Sequence, residues 1–154
     1  MEFGCGYGVF TVPAARLVEG PLFALDIDPV MVNACREKVR SENLSNVSVE
    51  QRDFLAEGSG RPDASADYAM LFNILHLESP LELLKEAHRV LVPGGSLGII
   101  HWKHDEHTPR GPSLKIRPRP EQCREWAELV GFEFCRSQEF CCCSWHYGLV
   151  MRKR

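Results

Sequence analysis

Short apolar runs alternate along this chain with stripes spaced at the helical repeat, so strand and helix signals follow each other in turn. Leu22 to Asp26 (LFALD) is an apolar run ending in an acid, the pattern of a buried parallel strand. Asp28-Pro29 then predicts a helix start, with a capping acid followed by proline at the first helical position. Met31, Ala34, Cys35 and Val39 supply that helix with an apolar stripe. Asn46 to Gln51 (NVSVEQ) alternates as a strand and leads into Arg52-Asp53-Phe54. A polar loop from Glu57 to Ser65 separates it from the next strand, Asp67 to Phe72, which ends at Asn73.

Ser79-Pro80-Leu81-Glu82 has the form of a capping box with proline in the first helical place, and opens a helix to about Leu91. Leu84, Ala87, His88 and Leu91 lie on one face of it. Pro93-Gly94-Gly95 reads as its stop, and Ser96 to Trp102 as another buried strand. A basic, proline-rich loop from Lys103 to Arg119 carries Arg110, Lys115, Arg117 and Arg119. It is read as a solvated arm, with contact to an anionic acceptor as the alternative. Pro120 to Val130 predicts a helix closed by Gly131. Phe132 to Ser137 and Ser144 to Met151 form a terminal hairpin. Five strand-helix alternations before a hairpin predict one α/β domain over 1–154, a parallel sheet with helices on both faces.

The first eight residues carry the chemistry. Glu2-Phe3-Gly4-Cys5-Gly6-Tyr7-Gly8 reads as the end of a buried strand turning into a helix, predicted over Val9 to Val18. Glycines suit a turn whose backbone enters conformations closed to other residues and lets a ligand approach. In an open parallel sheet a ligand sits beyond the C-terminal ends of the strands. Those ends carry Gly4 to Gly8, Asp26, Asp53 and Asn73. Asp26 lies 18 residues after Gly8, where an acid can accept both hydroxyls of a ribose. A nicotinamide dinucleotide site requires G-x-G-x-x-G, and the third glycine would fall at Val9. The G-x-G-x-G present here disfavours a pyrophosphate ligand and suits a nucleoside cofactor without phosphates.

Composition narrows the class further. With 154 residues, 44% of them apolar, and a formal charge of −3, the chain has enough apolar sequence for a core and no basic excess suited to nucleic acid. No apolar run reaches the length of a membrane span and no signal peptide opens the chain, so a cytoplasmic location is expected. Seven cysteines then read as reduced thiols. Cys141-Cys142-Cys143 is read as small apolar residues at a hairpin turn, because strand neighbours point to opposite faces and cannot readily share one ion. No metal site is expected there, nor from His101, His104 and His107.

The ordered set of motifs resembles the class I S-adenosylmethionine-dependent methyltransferases of the small-molecule methyltransferase-domain type. EFGCGYG resembles the family's first motif, LFALDIDP the second, QRDF the third and DYAMLFNILHL the fourth. RVLVPGGSLGI and SWHYGLVMRKR resemble the fifth strand's approach and the last strand. The resemblance implies a Rossmann-like, mostly parallel seven-stranded sheet with a C-terminal antiparallel hairpin, S-adenosylmethionine as cofactor, and a small-molecule acceptor. It implies that Glu2 and the backbone of Gly4, Gly6 and Gly8 hold the cofactor's methionine end. Asp26 would bind the ribose, Ile27 pack on the adenine, Asp53 and the Phe54 backbone read the adenine edge, and the Asn73 carbonyl face the ammonium. The candidate general bases are His76, His101 and His104, each with packing or surface exposure as the competing reading. The family's helices before the first motif have no counterpart, and the first strand is a stub. The expectation is therefore a truncated or reduced member, with a cofactor-binding but incompetent protein as the alternative.

Overall fold

The computed structural model describes residues 1–141 and 143–154 and divides into two compact units, Met1–Gly60 and Arg61–Arg154. The first contains β1 (Glu2–Phe3), α1 (Thr11–Ala15), β2 (Leu22–Asp26), α2 (Pro29–Ser41) and β3 (Val47–Gln51). Its strands run parallel in the order β3-β2-β1. Leu22 lies opposite Val47 in this register, while Glu2 faces Ala24. Parallel neighbours place the C-terminal ends of the strands on one side, so the Gly-rich turn, Asp26 and the residues after Gln51 share an edge.

α2 starts where the capping signals place it. The Asp28 side chain accepts from the Val30 N–H at 2.8 Å, and Pro29 fills the first helical position, where no N–H is needed. Its buried face is Val32, Cys35 and Val39, packed with Cys5, Ala24 and Val49. Met31 is only half-buried, and Val32 takes its expected place in the core. Each such apolar side chain removed from water contributes roughly 1.5–3 kcal/mol. α1 is much shorter than the predicted Val9–Val18. It has no capping side chain at Phe10, and Val9 and Leu17 are exposed. The Asn46 amide donates to the Ala15 carbonyl at 2.8 Å, using a carbonyl at the helix end that has no partner within the helix.

The second unit contains β4 (Ala66–Phe72), α3 (Pro80–Val90), β5 (Leu91–Trp102), α4 (Pro120–Val130), β6 (Phe132–Gln138) and β7 (His146–Lys153). Its strand order is β4-β5-β7-β6, with β4 and β5 parallel and β7 antiparallel to both its neighbours. Pro93-Gly94-Gly95 does not separate helix from strand as expected. These residues lie inside β5, where Ala66 pairs with Leu91 but Tyr68 pairs with Ser96, so the extra residues bulge from the ladder. The expected capping box at Ser79 is also absent: its side chain makes no cap hydrogen bond, and its carbonyl accepts from the Glu82 and Leu83 N–H groups instead. α3 ends differently as well. Lys153 Nζ donates to the His88 and Leu91 carbonyls at 2.7 and 2.8 Å, placing a cation at the negative end of the helix. Gly131 closes α4 in the left-handed conformation at φ 108°, as predicted.

The basic loop is not simply a solvated arm. Arg117 is buried, and its guanidinium donates to the carbonyls of Lys103, Asp105, Arg110 and Pro112 and to Thr108 Oγ1. A planar fork with several fixed donors can satisfy a ring of carbonyls that a point-like ammonium cannot. Lys115 and Arg119 remain outside that ring. Among the described residues, no helix is long and apolar enough to cross a membrane.

Candidate functional site

In the first unit the turn after β1 is built on glycines in left-handed backbone, with φ of 77° at Gly4, 50° at Gly6 and 71° at Gly8. Gly4 and Cys5 donate their N–H groups to the Leu25 carbonyl at 2.8 and 2.9 Å, which folds the turn onto the end of β2. Gly6 N–H reaches Asp26 Oδ2 at 2.8 Å, and Asp28 N–H reaches Oδ1 at 3.1 Å. Two backbone donors therefore fix the Asp26 carboxylate, and each oxygen keeps accepting capacity for a ligand hydroxyl. A Cβ on Gly6 would meet nothing within 4 Å, so its outer face is open. Gly8 is packed from behind, with an added Cβ only 3.1 Å from Cys35 Sγ.

Glu2 lies under this turn, 1% exposed, and accepts from Thr11 Oγ1 at 2.6 Å. Burial pushes its carboxyl up from 4.5 to about 8, against the opposing effect of the Thr11 hydrogen bond. At neutral pH it is mostly protonated. Ile27 is 57% exposed beside Asp26, an apolar side chain at the mouth of the turn. Asp53 caps the following turn by accepting from the Leu55 and Ala56 N–H groups at 3.1 and 3.0 Å. Phe54 is buried edge-on against Phe3, with ring centroids 5.4 Å apart. Thr11, and the contact of Cys35 with the turn beyond its place in the α2 stripe, are features that sequence reasoning missed. Their relation to the turn is tertiary, and neither stands at a motif position.

In the second unit, Asn73 follows β4 with φ 56°, and its N–H donates to the Ile100 carbonyl at 2.7 Å. A cavity of about 550 Å³ lies beyond it in the chain, lined by His76, His104, Leu114, Arg117 and Trp126 among others. His101 is fully buried in β5, and burial brings it down to about 4. Its Nδ1 lies 3.3 Å from the Trp102 carbonyl and its Nε2 lies 3.3 Å from His76 Nδ1. A carbonyl can only accept, so His101 carries its proton on Nδ1 and accepts at Nε2. His76 must then carry its proton on Nδ1, which leaves the lone pair on its Nε2. His101 cannot meet an acceptor molecule itself; it sets the tautomer of His76. Burial lowers His76 as well, keeping it neutral at pH 7.

An open glycine turn, an oriented acid at the end of the next strand and an exposed apolar side chain beside it lie together on a Rossmann-like α/β fold. The chain matches the methyltransferase domain family over residues 1–95, and it belongs to that family. It is 32% identical over 127 residues to a ribosomal protein L11 methyltransferase of Thermoanaerobacter pseudethanolicus, covering 79% of this chain and 40% of that one. It is 29% identical over 144 residues to the aklanonic acid methyltransferase DauC of a Streptomyces species, covering 86% and 64%. Among solved structures it is similar to a SAM-dependent methyltransferase from Aquifex aeolicus, at 27% identity and TM-score 0.87, covering 98% of this chain and 79% of that one. The chain thus spans less than two thirds of the length of these curated relatives. The fold expected from the motifs, seven mostly parallel strands ending in an antiparallel pair, is the one found.

The residues present fit the family's cofactor. S-adenosylmethionine has a ribose diol for a carboxylate, an adenine for an apolar face, no phosphate, and a cationic amino-acid end that suits a buried acid. The open outer face of Gly6 removes the side chain that would fill the cradle.

Proposed function

We propose that this chain transfers a methyl group from S-adenosylmethionine to a small-molecule acceptor. The Gly6–Asp26 hydrogen bond carries the reading, because it joins the open turn to the acid that would take the ribose. Asp26 binds and orients the cofactor, Ile27 covers one face of the adenine, and Asp53 and the Phe54 backbone read its edge. Glu2 and the backbone of Gly4, Gly6 and Gly8 hold the methionine end. When bound, S-adenosylmethionine supplies a methyl group already activated on a sulfonium, so the protein has chiefly to align a nucleophile with it. The cavity of about 550 Å³ has the size of small-molecule sites, which supports a small acceptor over a folded protein. His76 is the general base for an acceptor with a weakly acidic proton, its lone pair held on Nε2 by His101; His104 also lines that cavity.

Calorimetric titration of the chain and of Asp26→Ala with S-adenosylmethionine, its demethylated product and NADH tests the cofactor reading. Micromolar binding of the first two, lost in the variant, is expected. Binding of NADH alone, or no binding by a folded chain, overturns it. Turnover is then sought with a panel of phenolic, carboxylic and amine acceptors.

A further inference from the structure

The start of β7, the segment before it and the end of β4 bring together three side chains that the methyl-transfer reading does not use. Cys143 Sγ lies 2.9 Å from His146 Nδ1, and His146 Nε2 lies 3.4 Å from the Asn73 side-chain amide. The imidazole is braced by Trp102, with ring centroids 4.1 Å apart. Cys143 is half-buried, open enough to react yet held by its neighbour. Cys143 and His146 border a cavity of about 410 Å³, to which Lys103, Glu139, Phe140 and Tyr147 also contribute, and Asn73 meets His146 from outside that lining. From sequence, Cys141-Cys142-Cys143 is expected as small apolar residues at a hairpin turn. For Cys143 the structure replaces that with a thiol facing a nitrogen base; Cys142 lies outside the described residues, and Cys141 is exposed.

Asn73 supplies an independent sign of a built site. Its Oδ1 is buried and has no hydrogen-bond partner among the described residues. When the thiol donates to His146 Nδ1, the neutral ring must carry its own proton on Nε2 and needs an acceptor there. Turning the Asn73 amide over presents Oδ1 to that N–H. The same turn completes a chain of thiol, imidazole and amide in which each member orients the next.

We infer that Cys143, His146 and Asn73 form a thiol-modification site that exchanges with low-molecular-weight disulfides entering the cavity beside them. His146 takes the thiol proton as the sulfur attacks one sulfur of the disulfide. A new S–S bond forms on Cys143, the old S–S bond breaks, and the leaving thiolate takes the proton back from the imidazolium. The products are a mixed disulfide and one free thiol, with no other oxidant required. Lys103 and Glu139 place one charge of each sign at the cavity, suited to an amino-acid-derived disulfide. Burial lowers His146 below the ordinary histidine value, so its base form is present at neutral pH. The charged and titratable groups around it are Cys143, His101, Lys103, Glu139 and Tyr147.

The probe is 5,5′-dithiobis(2-nitrobenzoate), read by released thionitrobenzoate, on the full chain with Cys135, Cys141 and Cys142 changed to serine. One fast equivalent is expected, absent after Cys143→Ser and at least about tenfold faster than N-acetylcysteine at the same pH. His146→Gln is expected to slow it about tenfold with the circular dichroism spectrum unchanged. In the chain with His146 present, the rate falls as pH drops through the imidazole's titration, below 6.5. Oxidised glutathione is expected to add one mass equivalent at Cys143. A Cys143 no faster than N-acetylcysteine, or a rate unaltered by His146→Gln in a folded protein, overturns the inference. Should that variant fail to fold, the absence of the low-pH bend overturns it equally.

Discussion

His101 Nε2 stands 3.3 Å from His76 Nδ1, and because His101 is pinned to the Trp102 carbonyl the pair can share a proton in only one arrangement. Nitrogen-15 chemical shifts of the imidazoles read this directly. Both rings are expected as Nδ1–H tautomers at pH 7, with His101 neutral down to about 4. The unfolded chain takes up this proton first as pH falls from 6.5, so His101 lowers stability progressively between 6.5 and about 4. A His101 that titrates near 6.5 in the folded chain removes the relay. For an acceptor that must lose a proton, His76→Gln is expected to lower kcat by about 10²–10⁴ while leaving cofactor affinity unchanged.

Glu2 gives the opposite pH dependence. Its folded value of about 8 lies above the unfolded 4.5, so the folded state keeps a proton that the unfolded state releases. Stability from this group is full below 4.5 and declines as pH rises toward 8. Glu2→Gln keeps a carbonyl for the Thr11 hydroxyl and is expected to stabilise the chain at pH 8 by on the order of 4 kcal/mol, with little change at pH 4.5. Urea unfolding at the two pH values measures it. A cation bound beside Glu2 should also expel its proton, so titration with S-adenosylmethionine in buffers of different ionisation heat is expected to show proton release at pH 7.

Gly6 and Gly8 separate cradle from packing. Both have positive φ, but an added Cβ meets open space at Gly6 and Cys35 Sγ at 3.1 Å at Gly8. Gly6→Ala is expected to cost about 1–2 kcal/mol of stability and to weaken cofactor binding at least tenfold. Gly8→Ala is expected to cost about 2–4 kcal/mol, since overpacking adds to the backbone strain. Equal thermal shifts in the two variants would contradict this.

Arg117 organises its loop from inside. Arg117→Lys keeps the charge but cannot span the carbonyls of Lys103, Asp105, Arg110 and Pro112 at once. Amide hydrogen exchange over 103–119 is expected to accelerate at least tenfold in this variant, while β4 exchanges unchanged. A loop that stays protected shows that the guanidinium is dispensable.

What the amino-acid sequence determined by itself was local and periodic. Asp28-Pro29 starts α2, Gly131 ends α4, and the apolar runs place β2, β3 and the hairpin within a residue or two, because caps, φ preferences and strand alternation act over a few neighbours. The glycine spacing and Asp26 likewise marked the turn now joined by the Gly6–Asp26 hydrogen bond. Tertiary structure decided the rest. α1 shrinks to Thr11–Ala15, and the cap at Ser79 goes unused. Arg117 turns inward because a ring of carbonyls closes around it only once the loop has folded. Cys143 and His146 meet Asn73 although His146 stands 73 positions after it in the chain, a juxtaposition that depends on how the ends of β4 and β7 are placed in the folded unit. Neighbour-scale chemistry is written in the order of residues, whereas burial and proton position depend on which distant groups the fold brings within 3–4 Å.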